Sequence, residues 1–133
     1  MVDVARLLRM ALPAKQSAFL WGPRKTGKST FLQSAFPDSL TYDLLQTDVM
    51  LEMVKRPALL REQLLAAPPH RLQTPVIIDE VQKVPQLLDE IHWLIEHKRL
   101  RFILCGSSAR QLIRGRTNLL GGRAWRYQMH ALV

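Results

Sequence analysis

Cysteine occurs once, at Cys105, so no internal disulfide can form, and a reducing cytoplasm is the expected compartment. Long apolar runs are also missing. Nothing approaches the roughly 20 residues of a membrane-spanning helix, so no membrane partner is expected. The N-terminal apolar stretch is broken by Arg6, Arg9 and Pro13, with no small-residue cleavage site behind it, which argues against a secretory signal. Aromatic residues are few, at 7%, and Trp21, Trp93 and Trp125 are too dispersed to read as a base-stacking platform; packing explains them better. His70, His92, His97 and His130 lack metal-ligand spacing and read as ordinary residues. Low-complexity linkers and internal repeats are absent, so residues 1–133 read as one domain, long enough for a single buried core.

Acid is the scarcer charge: 11 Asp and Glu stand against 19 Lys and Arg, a formal net of +8. A basic domain can meet nucleic acid, an acidic partner, or a polyphosphate ligand of its own. Its cations are scattered, with one denser stretch from Arg110 to Arg126. The pattern fits a solvated surface with a polyphosphate site better than a nucleic-acid interface, which stays as the lesser alternative.

With 47% hydrophobic residues the chain is in the globular range, and its apolar residues alternate between two patterns. Val2, Ala5, Leu8 and Leu12 predict a helix before Pro13, and Lys28 to Ala35 predicts another that ends at Phe36-Pro37. Thr47 to Ala67 reads as two helices broken near Pro57, and Gln86 to Lys98 as a helix with Leu87, Leu88, Ile91, Leu94 and Ile95 on one face. Ala109–Arg114 predicts a short helix. Strands are predicted at Ala18–Trp21, Leu40–Leu44, Pro75–Asp79, Phe102–Leu104 and Tyr127–Val133. Apolar strands alternating with helices predict an α/β fold, a parallel five-stranded sheet covered on both faces as a three-layer sandwich.

The strongest motif is Gly22-Pro23-Arg24-Lys25-Thr26-Gly27-Lys28-Ser29, a full match to G-x-x-x-x-G-K-[ST], the phosphate loop of P-loop NTPases. Glycines let such a loop curl so that backbone N–H groups point at phosphate oxygens, and the following helix adds positive charge at its N-terminus. Lys28 is expected to reach the β- and γ-phosphates and the Ser29 hydroxyl to ligate magnesium, with Thr30 completing the nucleotide-binding stretch. Arg24 and Lys25 are cations inside the loop with no assigned role. An apolar strand before the match and a helical pattern after it make a chance glycine turn a poor explanation.

A second element, Val76-Ile77-Ile78-Asp79-Glu80, ends a buried strand in two acids. Ligands gather at the C-terminal ends of parallel strands, so Asp79 is expected to hold magnesium and Glu80 to orient and deprotonate an attacking water. After the next predicted strand comes Cys105-Gly106-Ser107-Ser108. One serine can cap the helix that follows, and the other can hold the water in line; Ser108 is taken as that sensing residue, with Ser107 the alternative. Cys105 reads as core packing. Arg110, Arg114, Arg116 and Arg123 are each candidates for stabilising charge at the γ-phosphate.

With these residues in place, the chain resembles the AAA-type P-loop ATPases. More closely it is similar to a prokaryotic group of ATPases with a Gly-Pro-Arg-x-Thr-Gly-Lys loop, an Asp-Glu-Val-Gln-Lys segment and a Gly-Ser-Ser-Ala-Arg segment. These stand here as Gly22–Lys28, Asp79–Lys83 and Gly106–Arg110, and Leu119–Ala124 resembles the group's Leu-x-Gly-Arg-Ala element. The resemblance implies a sheet of order 5-1-4-3-2, ATP as the nucleotide, magnesium and hydrolysis. It also singles out Arg123, because a Gly-Arg before the fifth strand carries the finger that reaches a neighbour's ATP. If Arg123 acts in trans, the active form is a homo-oligomer. Relatives in the group continue past the fifth strand into a larger C-terminal domain, so the expectation is an ATPase core without a helical lid.

The leading expectation is ATP binding and hydrolysis coupled to conformational change. One alternative is a nucleotide- or nucleic-acid-binding fragment without significant turnover. The other, a P-loop kinase, is disfavoured by Glu80, since a water-activating acid belongs to a hydrolase.

Overall fold

The computed structural model describes residues 17–21, 32, 34, 36–106 and 124–128. Five strands form one sheet: β1 (Ser17–Trp21), β2 (Thr41–Asp43), β3 (Val76–Asp79), β4 (Phe102–Gly106) and β5 (Ala124–Gln128). Every neighbouring pair is parallel, in the order β2-β3-β4-β1-β5. Among the described residues, three helices appear in full between the strands, α1 (Thr47–Lys55), α2 (Ala58–Ala66) and α3 (Leu87–Lys98), together with 3-10 turns at Pro69–Leu72 and Val81–Lys83. The α/β class and the parallel sheet expected from the sequence are what is found.

The helices sit where the apolar spacing put them. In α3, Leu87, Leu88, Ile91, Leu94 and Ile95 are buried, while Asp89 and Glu90 occupy the first turn and His97 and Lys98 the last. That charge arrangement complements the helix dipole. The helix stops at Arg99, whose left-handed backbone lets its N–H reach the Ile95 and Leu94 carbonyls. Pro57 separates α1 from α2, as the sequence predicted, because its ring forbids a continuous hydrogen-bond ladder there.

The core lies between these helices and one face of the sheet. Val76 and Ile78 of β3 and Phe102 and Leu104 of β4 pack with Met53, Leu60, Leu64, Ile91 and Leu94. Strand residues of opposite parity, Ile77, Ile103 and Cys105, are equally buried outside that cluster, so both faces of β3 and β4 are covered. Burial on both sides explains why these strands read as unbroken apolar runs. Each large side chain buried this way contributes about 1.5–3 kcal/mol.

The last strand begins earlier than the sequence predicted. It spans Ala124–Gln128 instead of starting at Tyr127, and Arg126 pairs in register with Phe19. Arg126 interrupts the apolar pattern of this segment, and β5 is an edge strand, where charged residues are readily accommodated. Residues 129–133 lie outside the described residues, as do the predicted helices at 2–12 and Ala109–Arg114. Of the helix predicted from Lys28 to Ala35, Leu32 and Ser34 are described; both are helical, and Leu32 is buried.

Candidate functional site

The register of the sheet aligns three strand ends. Ile78 pairs with Leu104, and Leu104 pairs with Phe19, so β4 stands between β3 and β1. One step further along, Asp43 pairs with Asp79, and Leu20 with Cys105. Trp21, the last residue of β1, then pairs with Gly106, the last of β4. The loop predicted to bind phosphate begins at the next residue, Gly22. With neighbouring strands about 4.8 Å apart, the acidic end of β3 is about 10 Å from the end of β1, with β4 between them. This is the carboxyl edge of a parallel sheet, where ligands of such folds gather.

Asp79 and Glu80 differ in environment. Asp79 is half-buried and continues the parity of Ile77, and its carbonyl accepts the N–H of Leu44 at 3.1 Å. Glu80 is 2% exposed. It follows the strand in a left-handed conformation, φ 58° and ψ 48°, which turns the chain into the 3-10 turn Val81–Lys83. The turn is held from within: Lys83 N–H donates to the Glu80 carbonyl at 3.0 Å and Val84 N–H to the Val81 carbonyl at 3.1 Å. Val81 and Val84 are fully buried and anchor it in the core.

A buried hydrogen bond joins the two polar residues of this segment. The Gln82 side-chain amide, Nε2, donates to Glu80 Oε2 at 3.1 Å. The sequence reading gave Gln82 no role. A signal was available, since a glutamine between Val81 and Val84, just after a buried acid, is a polar residue in an apolar setting and needs a partner.

Across β2, Asp43 occupies the row of Asp79, and its Oδ1 accepts the Leu45 N–H at 3.0 Å, closing the turn into α1. The remaining sequence candidates, Gly22, Pro23, Arg24, Lys25, Thr26, Gly27, Lys28, Ser29, Thr30, Ser107, Ser108 and Arg123, lie outside the described residues. The strands leading to two of these segments are described: β1 ends immediately before Gly22, and β4 immediately before Ser107.

Among the described residues, no group of three or more His, Cys, Asp or Glu could hold a metal ion. Asp79, at the carboxyl edge of the sheet, offers a carboxylate oxygen of the kind that binds hard cations. Among the described residues no helix is long and apolar enough to cross a membrane.

No curated protein matches this chain. A family model described as an AAA domain matches residues 14–133, most of the sequence.

Proposed function

The chain belongs to the AAA domain family, and on that premise we propose that it is an ATPase core that binds ATP with magnesium and hydrolyses it. The observation that carries this reading is the shared carboxyl edge of β1, β4 and β3. It brings the end of β1, which directly precedes the G-x-x-x-x-G-K-[ST] segment in sequence, and the acidic end of β3 to the same side of one parallel sheet. The order β2-β3-β4-β1-β5 supports the 5-1-4-3-2 arrangement. The extent of the family match supports one domain throughout, and the motifs Gly22–Lys28, Asp79–Lys83 and Gly106–Arg110 support membership of the prokaryotic group they resemble.

In this reading Gly22 to Thr30 cradle the triphosphate, and Lys28 contacts the β- and γ-phosphates. Ser29 and Asp79 hold magnesium, which when bound neutralises charge on the phosphate oxygens. Glu80 accepts a proton from water as the water oxygen bonds to the γ-phosphorus. The bond from that phosphorus to the bridging oxygen breaks, ADP leaves with the electron pair, and inorganic phosphate is released. Ser108 holds the water in line. Arg123 reaches a neighbouring chain's nucleotide, so the active form is a homo-oligomer. The lone cysteine supports a cytoplasmic setting.

Phosphate release and calorimetric ATP binding, measured on the wild type, Lys28→Ala and Glu80→Gln, test the proposal. Binding is expected to vanish in Lys28→Ala. Glu80→Gln is expected to keep binding and lose release by about 100-fold or more. Release that persists in Glu80→Gln removes Glu80 from the mechanism.

A further inference from the structure

We propose that Gln82 is a positioning residue for the Glu80 carboxylate, fixing the orientation of the group that takes the proton from water; this rests on the ATPase reading above. The amide Nε2 of Gln82 donates to Glu80 Oε2 at 3.1 Å, and both side chains are buried, at 7% and 2% exposure. A carboxylate on a free glutamate rotates about its side-chain bonds, and a general base that rotates spends little time aimed at its proton. Holding one oxygen fixes the plane of the group and hence the direction of the other.

The backbone makes this tether stiff. Glu80 enters the turn with φ 58°, and two backbone hydrogen bonds close the turn over Glu80–Val84. Val81 and Val84 alternate with the polar residues and are fully buried, so they pin the turn to the core while Glu80 and Gln82 face each other. The donor therefore sits two residues from the base, on the same core-anchored turn.

The Asp79–Gln82 segment carries this division of labour in four residues. Asp79 ends the strand, Glu80 does the acid–base chemistry, Val81 anchors, and Gln82 aims the base. A carboxamide suits the last task because it offers an N–H donor without adding charge beside the acid.

The test is phosphate release and ATP affinity for Gln82→Met, which keeps length and apolar volume but removes the donor, and for Gln82→Glu, which places an acid there. Each is made alone and in the Glu80→Gln background. Gln82→Met is expected to lower kcat by about ten- to a hundred-fold while the Kd for ATP with magnesium changes less than about two-fold. Gln82→Glu, which adds a like charge beside the base, is expected to fall at least as far. In the Glu80→Gln background, Gln82→Met is expected to cost nothing more, because the residue it serves is already gone. Urea unfolding of each variant separates loss of fold from loss of positioning.

Three results overturn the proposal. One is a folded Gln82→Met with wild-type kcat while Glu80→Gln collapses, which leaves the ATPase reading standing. Another is an equal drop for Gln82→Met with and without the Glu80 carboxylate. The third is a fall in kcat matched by the same fall in ATP affinity. A wild type that binds ATP and releases no phosphate overturns the ATPase reading itself, and with it the role of Gln82.

Discussion

Tyr42 lies on β2 with its hydroxyl donating to Gln63 Oε1 of α2 at 2.9 Å, so a strand residue and a helix residue are joined across the core's rim. Burial takes its phenol partly out of water and raises its pKa above 10.0. The sign of the pH effect follows. Raising the folded-state value favours the neutral phenol in the native chain, so its contribution is fully present below about pH 10 and is lost as pH rises through the higher folded value. Tyr42→Phe is expected to cost about 1 kcal/mol near neutrality through the lost hydrogen bond. The gap between wild type and Tyr42→Phe should narrow above about pH 10 as the wild-type advantage drains away. Urea unfolding of the two chains at several pH values checks this, and a gap that widens with alkali contradicts it. Among the described residues, two other than glycine have positive φ, Glu80 at 58° and Arg99 at 55°. A side chain there costs about 1 kcal/mol over glycine, which is spent for different ends. Arg99 ends a helix, whereas Glu80 brings a carboxylate to the carboxyl edge of the sheet.

Arg99 is exposed and follows α3, where its N–H caps the carbonyls of Ile95 and Leu94. Glycine adopts that conformation without strain, so Arg99→Gly is expected to raise stability by about 0.5–1 kcal/mol, read as a higher urea midpoint at unchanged slope. An unmoved or lower midpoint means the arginine contributes more than its backbone costs. The elements were also where the sequence was most legible. Pro57, the Leu87–Ile95 face and Pro75–Asp79 are strong local signals, and the break between α1 and α2, the helix α3 and the strand β3 stand where they indicated. The two 3-10 turns were not foreseen, because three or four residues are too few to show a period. The strand β5 starts at Ala124, ahead of the Tyr127 expected from the sequence, because strand pairing in the sheet decides the boundary more than local pattern does. At the candidate site the acids at the end of β3 could be read from composition and place. That Gln82 needs a polar partner is legible in its apolar setting, but that the partner is Glu80 is not, since the bond depends on a left-handed residue that no local rule assigns to glutamate.

At the scale of the whole molecule, β1 is joined to partners far along the chain. The Ser17 hydroxyl oxygen accepts the Phe102 N–H at 2.9 Å, a buried bond spanning 85 residues of sequence. Ser17→Ala leaves that N–H without its acceptor and is expected to cost about 1–3 kcal/mol, seen as a lowered melting temperature. A variant that melts with the wild type would mean that the amide finds another partner. Ligand linkage offers a second measurement at this scale. If ATP with magnesium binds the folded chain alone, saturation at about 100 times its Kd should add about 2.7 kcal/mol of stability, and Lys28→Ala should abolish the gain. A wild type that melts at the same temperature with and without the nucleotide argues against binding.

The order of strands has a consequence for the chain as it is made. β1 is the first strand of the sheet to leave the ribosome, yet both its neighbours, β4 and β5, come after every other strand. At translation rates of about 5–20 residues per second, β1 waits on the order of ten seconds for its first partner. During that time the segment Ser17–Trp21, and the loop that hangs from it, have no sheet to belong to. β2 has a shorter wait for β3, its direct neighbour. The strand that leads into the phosphate-loop motif is therefore paired only late in synthesis. Protease pulses on stalled nascent chains should cut near Trp21 until β4 has emerged and spare it afterwards; early protection there would show that β1 finds shelter elsewhere.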